Sequence, residues 1–241
     1  MQKPEPGLFL RDVSLRFPDG TLALDGVSFR LAPGERGIVA GPNGAGKTVL
    51  ARVIAGLLEI TTGDLSVDGR PPGFDPEKES AVGLVFQNPE HQIVGQTVWE
   101  DTLFGPENLG LPTGEARDRA EEALETMGLS HRRQENPYHL SGGERRRLAI
   151  AGVLALRPKI LVLDEPFSGL DYPSLRRLLV ALASPALSRL PVLIATHEIE
   201  TFLPRADRLL VLRNGVVLFD GPPRDAVPYF EGWDLRPVRL P

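Results

Sequence analysis

Gly41-Pro42-Asn43-Gly44-Ala45-Gly46-Lys47-Thr48 fits the spacing G-x-x-x-x-G-K-[ST] without a gap. The apolar run Ile38-Val39-Ala40 leads in, and Val49, Leu50, Val53, Ile54 and Leu57 lead out at helical spacing. The stretch therefore reads as a strand-to-helix turn, the context in which this spacing cradles phosphate. Gly41, Gly44 and Gly46 permit backbone angles closed to other residues, so consecutive N–H groups can converge on phosphate oxygens. A helix starting near Lys47 adds the positive end of its dipole, and the Lys47 ammonium adds a full charge for β and γ phosphates. Thr48 supplies a hydroxyl ligand for Mg²⁺. The competing reading, a glycine-rich turn with a surface lysine, does not account for the flanking pattern.

Outward from this turn, composition narrows the class. The 241 residues suffice for one α/β domain with a sizeable core or for a domain carrying an inserted subdomain. With 27 basic and 32 acidic residues the net charge is −5, so a generally basic nucleic-acid face is not indicated. There is no cysteine, which excludes disulfides and thiolate metal sites. His91, His131, His139 and His197 show no paired ligand spacing. Residues 1–7 lack the apolar core of a secretory signal, so the chain is expected in the cytoplasm. The most apolar region, 178–196, is interrupted by Ser184, Pro185, Arg189 and Pro191 and falls short of a membrane span, so work at a membrane means docking on a partner.

Two kinds of strand pattern are present. Val13, Leu15 and Phe17 alternate with Ser14 and Arg16, Val27, Phe29 and Leu31 alternate with Ser28 and Arg30, and Leu65-Ser66-Val67 precedes Asp68-Gly69. Alternation implies one wet face, hence an N-terminal antiparallel layer. In contrast, Ile160-Leu161-Val162-Leu163 and Val192-Leu193-Ile194-Ala195 are continuous apolar runs, as strands covered on both faces of a parallel sheet should be, with residues 36–40 and 81–86 joining them. Leu175, Leu178, Leu179 and Leu182 put one apolar face on a helix over 173–183. Asn214-Gly215 between apolar runs predicts a hairpin. Residues 88–157 are dominated by helical signals: Ala116, Ala120, Leu124 and Met127 line one side before Gly128, and a second helix over 143–156 stops before Pro158. Ser141 and Glu144 match a capping box at that helix's start.

Asp164 and Glu165 follow the run 160–163. Ligands gather at the carboxyl ends of parallel strands, so both carboxylates should emerge beside the phosphate loop. One then holds Mg²⁺, through water, while Glu165 orients and polarises the water that attacks the γ phosphate. His197, after the run 192–195, is placed to contact the γ phosphate and fix that water. Gln87, after the run 81–86, is placed to bridge Mg²⁺ and water. Phe17 stands at the end of its strand, where a ring can stack on a purine; alone, it would read as an ordinary edge or core residue.

Together these residues resemble the ATP-binding cassette (ABC) superfamily over about residues 8–221. Leu140-Ser141-Gly142-Gly143-Glu144 is similar to the family's LSGGQ signature with glutamate at its last place, Ser168-Gly169-Leu170-Asp171 to its D-loop, His197 to its switch histidine and Phe17 to its adenine-stacking aromatic. The resemblance implies an α/β fold: a P-loop ATPase core with a mixed, largely parallel sheet, an N-terminal antiparallel β layer and an inserted α-helical subdomain. It also implies one domain over 1–241, with the nucleotide-binding core at about 1–87 and 158–221, the helical subdomain at about 88–157 and a tail at 222–241. ATP would bind at Phe17 and residues 41–49, including Pro42, Asn43 and Ala45, of one subunit, and Ser141, Gly142, Gly143 and Glu144 of a second would close over it. Val49 stands where the family usually has a second hydroxyl residue, so a bond to the α phosphate, typically about 0.5–1.5 kcal/mol, is missing or made by backbone.

The wording of 85–92, 97–101, 104–111 and 149–155 is similar to the energy-coupling factor importers, which take up vitamins or cobalt and nickel ions. The implied protein is an ATPase motor on the cytoplasmic face of the cell membrane. Its partners would be integral membrane transporter subunits and a second ABC ATPase subunit, identical or related; nucleic acid is not expected. The competing reading is a soluble ATP-driven clamp on nucleic acid or ribosomes. Against it, no sustained heptads lie between Lys47 and Asp164, and the chain has one cassette.

Overall fold

The computed structural model describes residues 6–72, 81–233 and 235–236. Its strands, in chain order, are β1 (Leu8–Arg16), β2 (Leu22–Leu31), β3 (Arg36–Ala40), β4 (Thr62–Val67), β5 (Val82–Val85), β6 (Ile160–Asp164), β7 (Val192–Ala195), β8 (Arg208–Arg213) and β9 (Val216–Gly221). The α-helices are α1 (Lys47–Ile54), α2 (Val98–Asn108), α3 (Thr113–Thr126), α4 (Gly142–Leu154), α5 (Tyr172–Leu182) and α6 (Pro223–Ala226).

The alternating strands form a three-stranded antiparallel sheet in the order β2-β1-β4. β1 buries Leu8, Leu10, Val13 and Leu15, a spacing that slips by one residue. A register shift between Leu10 and Val13, with Asp12 at φ 49°, absorbs the slip. Both halves of the strand thus turn their apolar side chains to the same core. β2 starts at Leu22, before the alternating residues that announce it.

The continuous apolar runs form a six-stranded sheet, β5-β6-β7-β3-β8-β9, parallel except for β9. Each run is apolar throughout because its two faces serve different cores. Ile38, Leu161, Leu163 and Ile194 pack with Leu148 of α4 and Leu178 of α5. Val39, Ile160, Val162 and Leu193 pack with Leu50 and Val53 of α1 and with the antiparallel sheet's Val13 and Val27. Each such side chain contributes about 1.5–3 kcal/mol by burial, so neither face can be left uncovered. β9 returns through Asn214 (φ 51°) and Gly215 (φ 78°), the left-handed pair that a two-residue hairpin turn requires.

Helices α2, α3 and α4 lie in sequence between β5 and β6. Thr97 and Glu100 cap α2, and Ser141 and Glu144 cap α4, each as a reciprocal pair. Ala116, Ala120 and Leu124 are buried on α3, and Gly128 follows its end at φ 65°. Asp164 is the last residue of β6, where the sequence suggested that it follows the strand.

Of the aromatic cluster near the C-terminus, Phe230 is buried and Tyr229 is exposed. Phe230 is 1% exposed in the core, and Trp233 lies 5.6 Å from Phe219 and 5.4 Å from Tyr229 between ring centres. Residues 1–5, part of the stretch judged not to be a secretory signal, and residues 237–241 of the tail lie outside the described residues. Among the described residues no helix is long and apolar enough to cross a membrane.

Candidate active site

β3 runs into Gly41, at φ 153°, where an added Cβ would collide with the Leu212 carbonyl oxygen. The loop ends at Gly46, at φ 104°, which is the N-cap of α1. No side chain caps α1 and no acidic residue occupies its first turn. Its leading N–H groups therefore remain available to an anion. A cavity of about 580 Å³ opens over this turn, lined by residues 43–49 together with Gln87, Glu165 and His197. Its size suits a nucleotide-sized ligand.

Lys47 is 7% exposed. Its Nζ donates to the carbonyl oxygens of Gly41 (2.8 Å) and Pro42 (3.1 Å) and lies 3.9 Å from Glu165 Oε1. Burial lowers its pKa, while the charges of Glu165 and Asp164 oppose that change. Asp164 is 5% exposed, and its Oδ1 has no hydrogen-bond partner. Burial raises its pKa; a hydrogen bond with the Thr48 side chain opposes the shift, and the Glu165 charge adds to it. A buried carboxylate oxygen with no protein donor, paired through its carboxylate with a threonine hydroxyl, is the donor set a hard divalent cation takes. The residues present therefore fit Mg²⁺.

Glu165 adopts φ 47°, a left-handed conformation uncommon for a residue with a side chain. Its N–H donates to the Ala195 carbonyl at 2.8 Å. Its carboxylate accepts from Thr196 Oγ1 (2.9 Å) and from the His197 N–H (3.1 Å), and His197 Nδ1 lies 2.8 Å away. Thr196 and His197 follow β7, the neighbour of β6, so sheet order alone brings them to Glu165. The backbone bend at Glu165 and these donors aim the carboxylate toward the phosphate turn.

The structure thus gathers residues 43–49, Gln87, Glu165 and His197 around one cavity, with Gly41, Pro42 and Asp164 directly behind it. Val49 is part of the lining. Phe17 is not among the lining residues: it follows β1 and packs, half-buried, on the core beneath the antiparallel sheet, while Thr21, Leu22 and Ala23 line the cavity.

The residues 141–144 are elsewhere. Ser141 and Gly142 are exposed at the start of α4, and Gly142 lines a separate cavity with Ser168 and Gly169. Gly143 is buried, and a Cβ there would stand 2.5 Å from Ser174 Cβ, so close packing on α5 demands this glycine. Glu144 Oε2 accepts from the N–H and hydroxyl of Ser141 at 2.9 and 2.8 Å. Burial works against ionisation of Glu144, but these bonds and the charges of Arg132 and Arg147 hold its pKa below the ordinary value.

Sequence reading missed Thr196, although it directly precedes His197, and it missed the cavity's outer wall of residues 21–23 and Asn214-Gly215. That wall exists because Gly215 bonds Ala45 and Asp25 through its backbone, a pairing with no mark in side-chain pattern.

Fold and site together define a P-loop nucleoside triphosphatase. The family described as ABC transporter matches residues 24–168. The energy-coupling factor transporter ATP-binding protein EcfA of Methanothermobacter thermautotrophicus is 42% identical over 236 residues, covering 96% of this chain and 76% of the relative. Among solved structures, cbiO1 from Clostridium perfringens, part of the ABC transporter complex cbiONQ, superposes with a TM-score of 0.82 at 32% identity, covering 92% of this chain and 90% of that one. A dimeric post-hydrolysis ATP-binding cassette bound to ADP and Pi superposes at 0.77 with 26% identity over 90% of this chain and 99% of its own. The chain belongs to the ABC transporter ATP-binding family and is an ATPase, and its similarity to the energy-coupling factor members is borne out.

Proposed function

We propose that this chain is the ATP-hydrolysing motor subunit of an energy-coupling factor importer, seated peripherally on the cytoplasmic face of the membrane. It would pair head to tail with a second ABC ATPase subunit, identical or related. Integral membrane partners would carry the cargo, a vitamin or a cobalt or nickel ion. Similarity to EcfA and to cbiO1 supports the importer type, and the dimeric cassette supports the pairing. So does the position of Ser141 and Gly142, away from their own chain's phosphate cavity.

The observation that carries the chemistry is the Glu165 carboxylate, held at the rim of the phosphate turn by Thr196 and His197, which follow the neighbouring strand. With ATP in the turn, the N–H groups at the start of α1 and the Lys47 ammonium take the phosphate oxygens. Lys47 then exchanges the carbonyls of Gly41 and Pro42 for a stronger acceptor. Thr48, Asp164 and Gln87 are the residues that would hold Mg²⁺, which when bound neutralises charge on the β and γ phosphates. Glu165 accepts a hydrogen bond from the attacking water and takes its proton as the new P–O bond forms and the bond to the ADP oxygen breaks. His197 keeps that carboxylate in place. Loss of the γ phosphate would let the paired subunits part, which turns hydrolysis into motion.

Glu165→Gln should retain ATP binding, lower phosphate release by about 10²–10⁴-fold and trap a dimer on size-exclusion chromatography. Unchanged turnover would reject the assignment. Affinity purification from detergent-solubilised membranes should bring along a substrate-binding integral protein, whereas recovery with ribosomes or DNA would overturn the importer reading.

A further inference from the structure

Arg146 lies in the second turn of α4, the helix that Ser141 caps. Its Nη1 donates to the carbonyl oxygens of Glu165 (3.1 Å) and Ser168 (3.0 Å), and its Nη2 donates to that of Gln87 (3.2 Å). The three acceptors sit on the peptide after β6, on the following turn and on the segment after β5. A planar guanidinium with donors in a fixed fork can hold three acceptors of different origin at once; a point-charge ammonium cannot reproduce that geometry. Burial lowers the Arg146 pKa while Glu165 and Glu198 oppose the change, so its surroundings have already stripped much of its water.

Glu165 needs such a hold. A residue with a side chain keeps φ 47° only where its neighbours over-determine it. Its N–H is fixed by Ala195 and its carboxylate by Thr196 and His197, all on or just after β7. Its carbonyl is fixed by Arg146, from α4, the helix packed on one face of the sheet. A shift of α4 that stretched this bond past about 3.5 Å would release the peptide that aims the base.

We propose that Arg146 is a positioning residue, tying the seating of α4 to the orientation of Glu165, so that this subunit's base is aligned only when its own signature helix is in place. The proposal rests on the role given above to Glu165. It deepens that role by naming the residue through which the helical block reaches the hydrolytic centre.

The test uses the full chain with Arg146→Ala and Arg146→Lys, each alone and combined with Glu165→Gln. Both single variants should lower kcat by about 10–100-fold, as a misplacement near 1 Å does. KM and the affinity for a fluorescent ATP analogue should stay within about threefold, because the lost interaction acts in the transition state. Arg146→Lys keeps the charge without the fork, so wild-type kcat in that variant would overturn the proposal in favour of simple electrostatics. It also carries the test if Arg146→Ala fails to fold. In single-turnover measurements, Arg146→Ala should add almost no further loss to Glu165→Gln, because Arg146 acts through that carboxylate. Full multiplication of the two losses would show a general structural role and overturn it. A silent Arg146→Ala beside an inactive Glu165→Gln rejects the positioning role alone, whereas an active Glu165→Gln rejects the underlying assignment.

Discussion

Replacing Asp164 by asparagine should move stability and activity in opposite directions. Asp164 is 5% exposed, one carboxylate oxygen has no donor, and Glu165 sits beside it with like charge. Its pKa in the folded chain is therefore above the reference value of 3.8. The ionised form is disfavoured by folding, a cost absent below the unfolded pKa and complete once pH has risen past the folded one. A buried acceptor without a partner costs about 1–3 kcal/mol. The amide removes the buried charge but leaves an unpaired N–H₂ in the same place and takes away one of the two carboxylates that offset the burial of Lys47, so the net gain near neutral pH is at most about 1 kcal/mol, or at most about 2–4 °C in Tm for a chain of this size. Differential scanning calorimetry of the nucleotide-free protein should show that rise, and it should shrink as pH falls through the folded pKa. Phosphate release with ATP and Mg²⁺ should drop by about 100-fold or more if Asp164 holds the ion as proposed, since that ligand has lost its charge. A lower Tm together with undiminished Mg²⁺-dependent turnover would refute both the orphaned-oxygen argument and the metal assignment.

On the proposed role of Lys47, Lys47→Ala removes a charge-assisted bond to phosphate worth about 1.5–3 kcal/mol, so affinity for a fluorescent ATP analogue should fall by about 10–100-fold; undiminished affinity would count against the phosphate turn. Gly143→Ala places a Cβ 2.5 Å from Ser174 Cβ. It should cost about 1 kcal/mol net of alanine's helix preference, seen as a lower thermal midpoint that Ser174→Gly partly restores. Equal midpoints in wild type and Gly143→Ala would show that α4 and α5 are packed more loosely than this distance implies.

Local chemistry was legible wherever one segment carries its own signal. The glycines of residues 41–46 fit a phosphate turn because few other residues permit its backbone, and Ser141 with Glu144 announces a helix start because both partners lie within one turn. The two strand patterns separated the sheets, since a strand buried on both faces must be apolar throughout and one with a wet face must alternate. Segments that gain meaning only from distant neighbours stayed silent. The aromatics at Tyr229, Phe230 and Trp233 read equally as an interface or a packed tail until their contacts placed Phe230 in the core. Thr196 and the carbonyl clamp of Arg146 follow from strand order and helix docking, which bring together groups 31 and 19 residues apart.

From the sequence alone came the glycine-rich strand-to-helix turn, the acidic pair after a buried strand, the family and the class of reaction, because each motif behind them is written in residues adjacent along the chain. Tertiary structure alone decided which oxygen of Asp164 is left without a donor, which groups aim Glu165, and that residues 141–144 stand apart from their own chain's phosphate cavity. Those are matters of distance between separately built segments, set by how two cores close on the faces of one sheet.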